Sequence, residues 1–143
     1  MKTEFIPYEQ ALALKELGFD EPCFGTYGYN GENKSTYFPL EYICKMEEFQ
    51  LTNYDIRNSN IGDDVSAPTF SQAFRFFREK YNTLVTLYSN ASGYLFEWHD
   101  AIGGTHRGWS EYEGPNDGGV WDTYQEAEIA AIVKLIEIVK EKQ

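Results

Sequence analysis

The sequence predicts an α+β fold, an antiparallel sheet built from hairpins with three helices packed mainly on one face. Three observations carry that expectation. A helix-start phrase, Thr-aromatic-x-Gln/Glu-Ala, occurs twice, at Thr69-Phe70-Ser71-Gln72-Ala73 and at Thr123-Tyr124-Gln125-Glu126-Ala127. In such a capping box the Thr hydroxyl accepts from the backbone N–H three residues on, and the Gln or Glu side chain reaches back. Strand-like segments separated by turn residues fill the space between the helices. Finally, aromatic residues make up 17% of a 143-residue chain, enough to line sheet faces and a single core.

The first helix is expected from about Tyr8 to Leu17, after Pro7, whose fixed φ suits a helix start. Gly18 fits the left-handed position past its end, and Phe19 falls where a Schellman motif returns to Leu14. The second runs over Phe70–Tyr81, where Phe70, Ala73, Phe74, Phe77 and Tyr81 recur at helical spacing. The third runs from Tyr124 to about Lys142. Ala127, Ala131, Leu135 and Ile138 form its central stripe, widened by Ile132, Ile136 and Val139, and the small alanines allow close approach to a sheet.

Strands are expected over Phe24 to Tyr29 and Ser35 to Pro39, and over Thr83 to Ser89 and Gly93 to His99, each pair closed by a hairpin loop. Short strands at Trp109 to Tyr112 and Gly119 to Trp121 bracket a turn-rich segment. Leu40 to Leu51 reads equally as strand or short helix. Asn53 to Ala67, polar and without a period, reads as a long mobile loop inside a single domain spanning 1–143.

Charge bounds the partners. The formal net charge is −11, which disfavours nonspecific binding to nucleic acid or anionic lipid. No signal-peptide core and no run of 18 apolar residues occurs, so a cytoplasmic protein without a membrane span is expected. Cys23 and Cys44 lack CxxC spacing and read as ordinary reduced thiols.

The phrases from Pro7 to Cys23 and from Ala67 to Tyr81, with the terminal helix from Tyr124 to Val139, resemble a family of small uncharacterised proteins found in Bacteroidetes and their phages. The resemblance covers the three helices, roughly a third of the chain. It implies no catalytic residue. By association it implies an accessory role on host machinery.

Candidate chemistry concentrates in His99-Asp100-Ala101-Ile102-Gly103-Gly104-Thr105-His106-Arg107-Gly108-Trp109, which holds both histidines. Gly103 and Gly104 could converge backbone N–H groups on an anion, with His106 and Arg107 beside them. Alternatively, the glycines simply turn a hairpin. His99, Asp100 and His106 do not match a metal-ligand spacing, so no metal is assigned. A second basic feature is Arg75 and Arg78, one turn apart on the second helix. Trp98, Trp109 and Tyr29 are candidates for stacking on a base or anchoring a partner. No GxSxG, HExxH or GxGxxG occurs, so neither catalysis nor a cofactor is implied.

The leading expectation is a non-catalytic intracellular binding protein with a protein partner, monomeric or homodimeric. The second is a protein that sequesters a small phosphorylated ligand such as a nucleotide signal through Arg75, Arg78 and Arg107. The third is a small hydrolase built on a His99/His106 loop.

Overall fold

A computed structural model of the chain describes residues 4–21, 23, 25–27, 65–102 and 105–143. Its fold is α+β, with two compact units, Met1–Ser71 and Gln72–Gln143.

In the first unit, α1 (Tyr8–Glu16) starts after Pro7, whose φ of −61° is the value its ring imposes. It ends as its sequence dictates. Gly18 takes φ 92°, its N–H donates to the Lys15 carbonyl at 3.0 Å, and the Phe19 N–H reaches Leu14 at 2.9 Å. That is the Schellman pair, and both Leu14 and Phe19 are buried. Strands β1 (Gly25–Tyr27) and β2 (Val65–Ala67) pair antiparallel, with Thr26 opposite Ser66. The Tyr27 phenol donates to the Ile6 carbonyl at 2.6 Å, while the Ile6 N–H donates to the Pro68 carbonyl. The segment entering α1 is thereby tied to β1 and to the residue that follows β2.

The last three residues of the loop expected over 53–67 depart from that expectation. Val65 and Ala67 are buried, and pairing with β1 satisfies their backbone, so three residues read as loop are strand. Residues 53–64, the expected strand over 35–39 and the ambiguous stretch over 40–51 lie outside the described residues.

α2 (Phe70–Tyr81) has the expected bounds and crosses the boundary between the units. Its buried face is rotated from the expected one. Phe76 is buried beside Phe77, with ring centroids 5.4 Å apart, whereas Phe74 is only half-buried. Edge-to-face packing of Phe76 on both Phe77 and Tyr81 draws it inward. Asn82 then adopts φ 52°, a conformation Asn tolerates better than most residues, and the chain turns directly into β3.

The second unit carries the strand order β3-β4-β5, with β3 (Thr83–Asn90), β4 (Gly93–Ile102) and β5 (Thr105–Glu111), all antiparallel. Asn90 Oδ1 accepts from the N–H groups of Ser92 and Gly93, which closes the first hairpin over two residues. α3 (Tyr124–Lys142) packs on β4 and β3. Its seven buried residues are the seven of the expected stripe. Tyr124 meets Tyr94 at one end and Lys142 meets Asp100 at the other, so helix and strand run side by side in the same direction. Among the described residues, no helix is long and apolar enough to cross a membrane.

Candidate functional site

The stretch between His99 and Trp109, expected as an anion-binding turn or a hairpin connection between two strands, belongs largely to the strands themselves. β4 continues through Ile102, and Thr105 resumes directly opposite it, leaving a two-residue connection at 103–104. Gly-Gly flanked by apolar and β-branched residues is a hairpin signal, and it overrides the clustering of polar residues around it. Gly103 and Gly104 themselves lie outside the described residues.

The register distributes the remaining candidates along the sheet. His99 stands opposite Gly108, Asp100 opposite Arg107, and His106 opposite Ala101. The His99 ring lies against the Gly108 backbone, and its Nε2 is 3.6 Å from Glu97 Oε2. Asp100 is buried and engaged by Lys142. A carboxylate thus occupies the position across from Arg107. Among the described residues, no three His, Cys, Asp or Glu side chains converge as metal ligands.

Arg75 and Arg78 sit at exposed positions of α2, one turn apart. Lys80, on the same helix, lies over the rings of Phe76 and Tyr81 at 5.4 and 5.5 Å. Trp98 and Trp109 are brought directly opposite one another on β4 and β5, with Val85 opposite Trp98 on β3. Trp98 is half-buried within this cross-strand row. Tyr29 lies outside the described residues. Cys23 is buried, and burial, then the nearby Glu21 charge, pushes its thiol up to about 12 against the relief of a Ser66 hydrogen bond. A thiol so held has almost no thiolate near neutrality and is no nucleophile.

A different feature stands out, the segment from Tyr112 to Tyr124. Its chain is folded back on itself by short-range hydrogen bonds. The Gly114 N–H donates to the Gly119 carbonyl, Gly119 N–H to Asn116, and Asn116 N–H to Val120, at 2.9, 2.8 and 3.2 Å. Trp121 then exchanges both backbone hydrogen bonds with Tyr94 at 2.9 Å, which fixes the loop to the start of β4. Asn116 Nδ2 donates to Asp122 Oδ1 across the loop's neck. The packing leaves no room for a Cβ at two positions: one built on Gly119 would lie 2.1 Å from the Tyr112 carbonyl oxygen, and one on Gly114 would lie 2.3 Å from Val120.

At the two ends of this segment stand the two most exposed large apolar side chains among the described residues: Tyr112 is 61% exposed and Tyr124 47%, followed by Val133 on α3. Tyr124 stands edge-on to Tyr94 at 5.9 Å, and Trp121 lies over Phe96 at 5.4 Å. Partial burial, then Glu128 one turn along the helix, holds the Tyr124 phenol above its ordinary pKa and therefore neutral. An open, polar depression of about 570 Å³ is lined by Ser92, Pro115, Asn116 and Asp117. Sequence reasoning missed this site because Tyr124 read as part of a helix-start phrase and 113–118 as a plain turn. The available signal was a Gly/Pro/Asn/Asp cluster flanked on both sides by aromatic residues.

Comparison with family models, with curated proteins and with solved structures returned no match to this chain.

Proposed function

We propose that this chain is an intracellular, non-catalytic binding protein that engages a protein partner through the 112–124 loop. The observation that carries this reading is the pairing of rigidity with exposure. Tyr112 and Tyr124 are presented on backbone held by close glycine packing and by mutual hydrogen bonds with β4. Tyrosines held in place before contact lose little freedom on binding, which is why they recur among the residues that dominate interface energies. The positions first considered for anion binding or hydrolysis offer less. His99 packs on strand backbone, Asp100 is engaged by Lys142, and Arg107 stands across from that carboxylate in register. The resemblance of the three helices to small proteins of Bacteroidetes and their phages favours, by association, an accessory role on host machinery.

Site-specific photocrosslinking in cells tests the reading. A benzophenone side chain introduced at Tyr112 or Tyr124 is expected to trap a discrete adduct that is absent when the same group replaces Val133 or Glu137 on α3. The same adducts from all four positions would refute a binding site at this loop.

A further inference from the structure

We infer that Asp117 is a self-modification site: its side chain closes on the Gly118 backbone nitrogen, and the ring reopens to isoaspartate, which loosens the turn that frames the 112–124 loop.

The sequence singles out this residue. Attack of a backbone nitrogen on the preceding side-chain carbonyl is hindered by a Cβ on the attacking residue, so glycine in second place is the permissive case. Of the seven aspartates in the chain, only Asp117 precedes a glycine.

The fold leaves both reacting groups free. Asp117 and Gly118 are exposed, so water reaches them. Among the described residues, no hydrogen bond or ion pair engages the Asp117 carboxylate or the Gly118 N–H. Space is open as well, since a Cβ built on Gly118 would meet nothing within 4 Å beyond its chain neighbours. Neighbouring candidates are held. Asp122 accepts from Asn116 Nδ2 and is followed by β-branched Thr123. Asp100 is buried against Lys142 and is followed by Ala101 within β4.

The step needs only water. In the carboxylic acid form, Asp117 Cγ forms a bond to the Gly118 nitrogen. The bond from Cγ to its hydroxyl breaks, and that hydroxyl leaves with the amide proton as water. The product is a five-membered succinimide. Water then adds to one of its two carbonyls. Opening between Cγ and nitrogen restores aspartate. Opening between the former main-chain carbonyl carbon and nitrogen gives isoaspartate, whose main chain runs through the side-chain methylene. One water is lost and one regained, so composition is unchanged.

The extra main-chain atom falls where the loop is tightest. The Gly119 N–H reaches back across Asp117 and Gly118 to the Asn116 carbonyl at 2.8 Å, and the Gly119 carbonyl accepts from Gly114. Isoaspartate lengthens the span that the first of these bonds closes. Gly119 also backs directly on the Tyr112 carbonyl, so the support of Tyr112 loosens with it.

Incubation of the full chain at physiological temperature and pH in heavy-oxygen water tests the site. Isoaspartate is expected to accumulate at 117, located by electron-transfer fragmentation, with one solvent oxygen retained in that residue. Asp117→Glu, which would need a six-membered ring, is expected to lose the signal. Asp117→Asn, which releases ammonia instead of water, should accumulate it faster. Amide exchange at Gly119 should quicken in the aged native chain and stay unchanged in aged Asp117→Glu. No isoaspartate at 117 in the folded chain, under conditions where the urea-unfolded chain forms it, would show that the turn holds the two groups apart and would overturn the proposal. So would equal accumulation at Asp100 or Asp122, or isoaspartate without solvent oxygen. Unaltered Gly119 exchange in chains that carry isoaspartate would overturn the loosening of the loop. None of these readouts involves a partner, so their failure is distinct from failure of the loop as a binding surface.

Discussion

Lys142, in the last turn of α3, pairs through Nζ with Oδ2 of Asp100 on β4, a carboxylate only 5% exposed. The two residues are 42 positions apart, and the pair fastens the end of the helix to the end of the strand it follows. A carboxylate at this depth depends on its partner, because water supplies few replacement hydrogen bonds. Lys142→Gln is therefore expected to cost about 1–3 kcal/mol, moderated by the half-exposed lysine. Lys140→Gln, at an exposed position one half-turn away, should stay within about 0.5 kcal/mol. Urea unfolding at constant m-value reads both. Equal midpoints would show that the pair contributes nothing to stability.

Cys23 makes a prediction with a definite sign. Its thiol is neutral in the fold up to about pH 12, against 9.0 for an unperturbed thiol, chiefly because it is buried. The folded pKa lies above the unfolded one, so the stabilising contribution is complete below about 9 and is lost as pH rises toward 12. Relative to Cys23→Ala, the native sequence should lose stability through that window, at most about 1.4 kcal/mol per pH unit. The Tyr27 phenol, also raised by burial, is common to both chains and cancels. In a Cys44→Ser background, iodoacetamide at pH 7.5 should modify Cys23 far more slowly in buffer than in urea. Equal rates would show that the thiol is not shielded.

The third helix and its buried stripe were legible in the sequence because period and cap agree there. All seven expected residues are buried, and Thr123 Oγ1 accepts from the Glu126 N–H at 3.1 Å. The end of α1 was legible for the same reason, since Gly18 and Phe19 have local roles. Of β5, only the end from Trp109 to Glu111 was legible, because polar residues at 105–107 concealed the start of a strand whose partner is chosen by register with β4. The inward turn of Phe76 likewise depends on ring packing that spacing alone does not encode. The 112–124 loop is the extreme case. Its turn chemistry was visible, but the exposure of Tyr112 and Tyr124 follows from what the other elements leave uncovered.

The Thr123 cap can be tested alone. Thr123→Ala removes the acceptor for Glu126 and is expected to cost about 0.5–2 kcal/mol, with Thr123→Asn restoring most of it. Thermal unfolding followed at 222 nm checks both variants. Failure of Asn to recover stability would mean that the threonine methyl, rather than its hydroxyl, carries the effect.

Two neighbouring glycines separate backbone conformation from crowding in the binding loop. Gly118 has φ 84° with open space where a Cβ would stand, whereas Gly119 has φ 71° and the Tyr112 carbonyl in that space. Gly118→Ala therefore meets only the left-handed penalty of about 1–2 kcal/mol. Gly119→Ala meets that penalty and a collision with backbone, which no side-chain rotation relieves. It should cost more than Gly118→Ala by at least about 1 kcal/mol, and the displacement falls on Tyr112 itself. If the loop works as a rigid display, partner crosslinking from position 124 should survive Gly118→Ala and drop sharply in Gly119→Ala at temperatures where both variants remain folded. Equal crosslinking in the two would show that recognition does not depend on the loop's fixed shape.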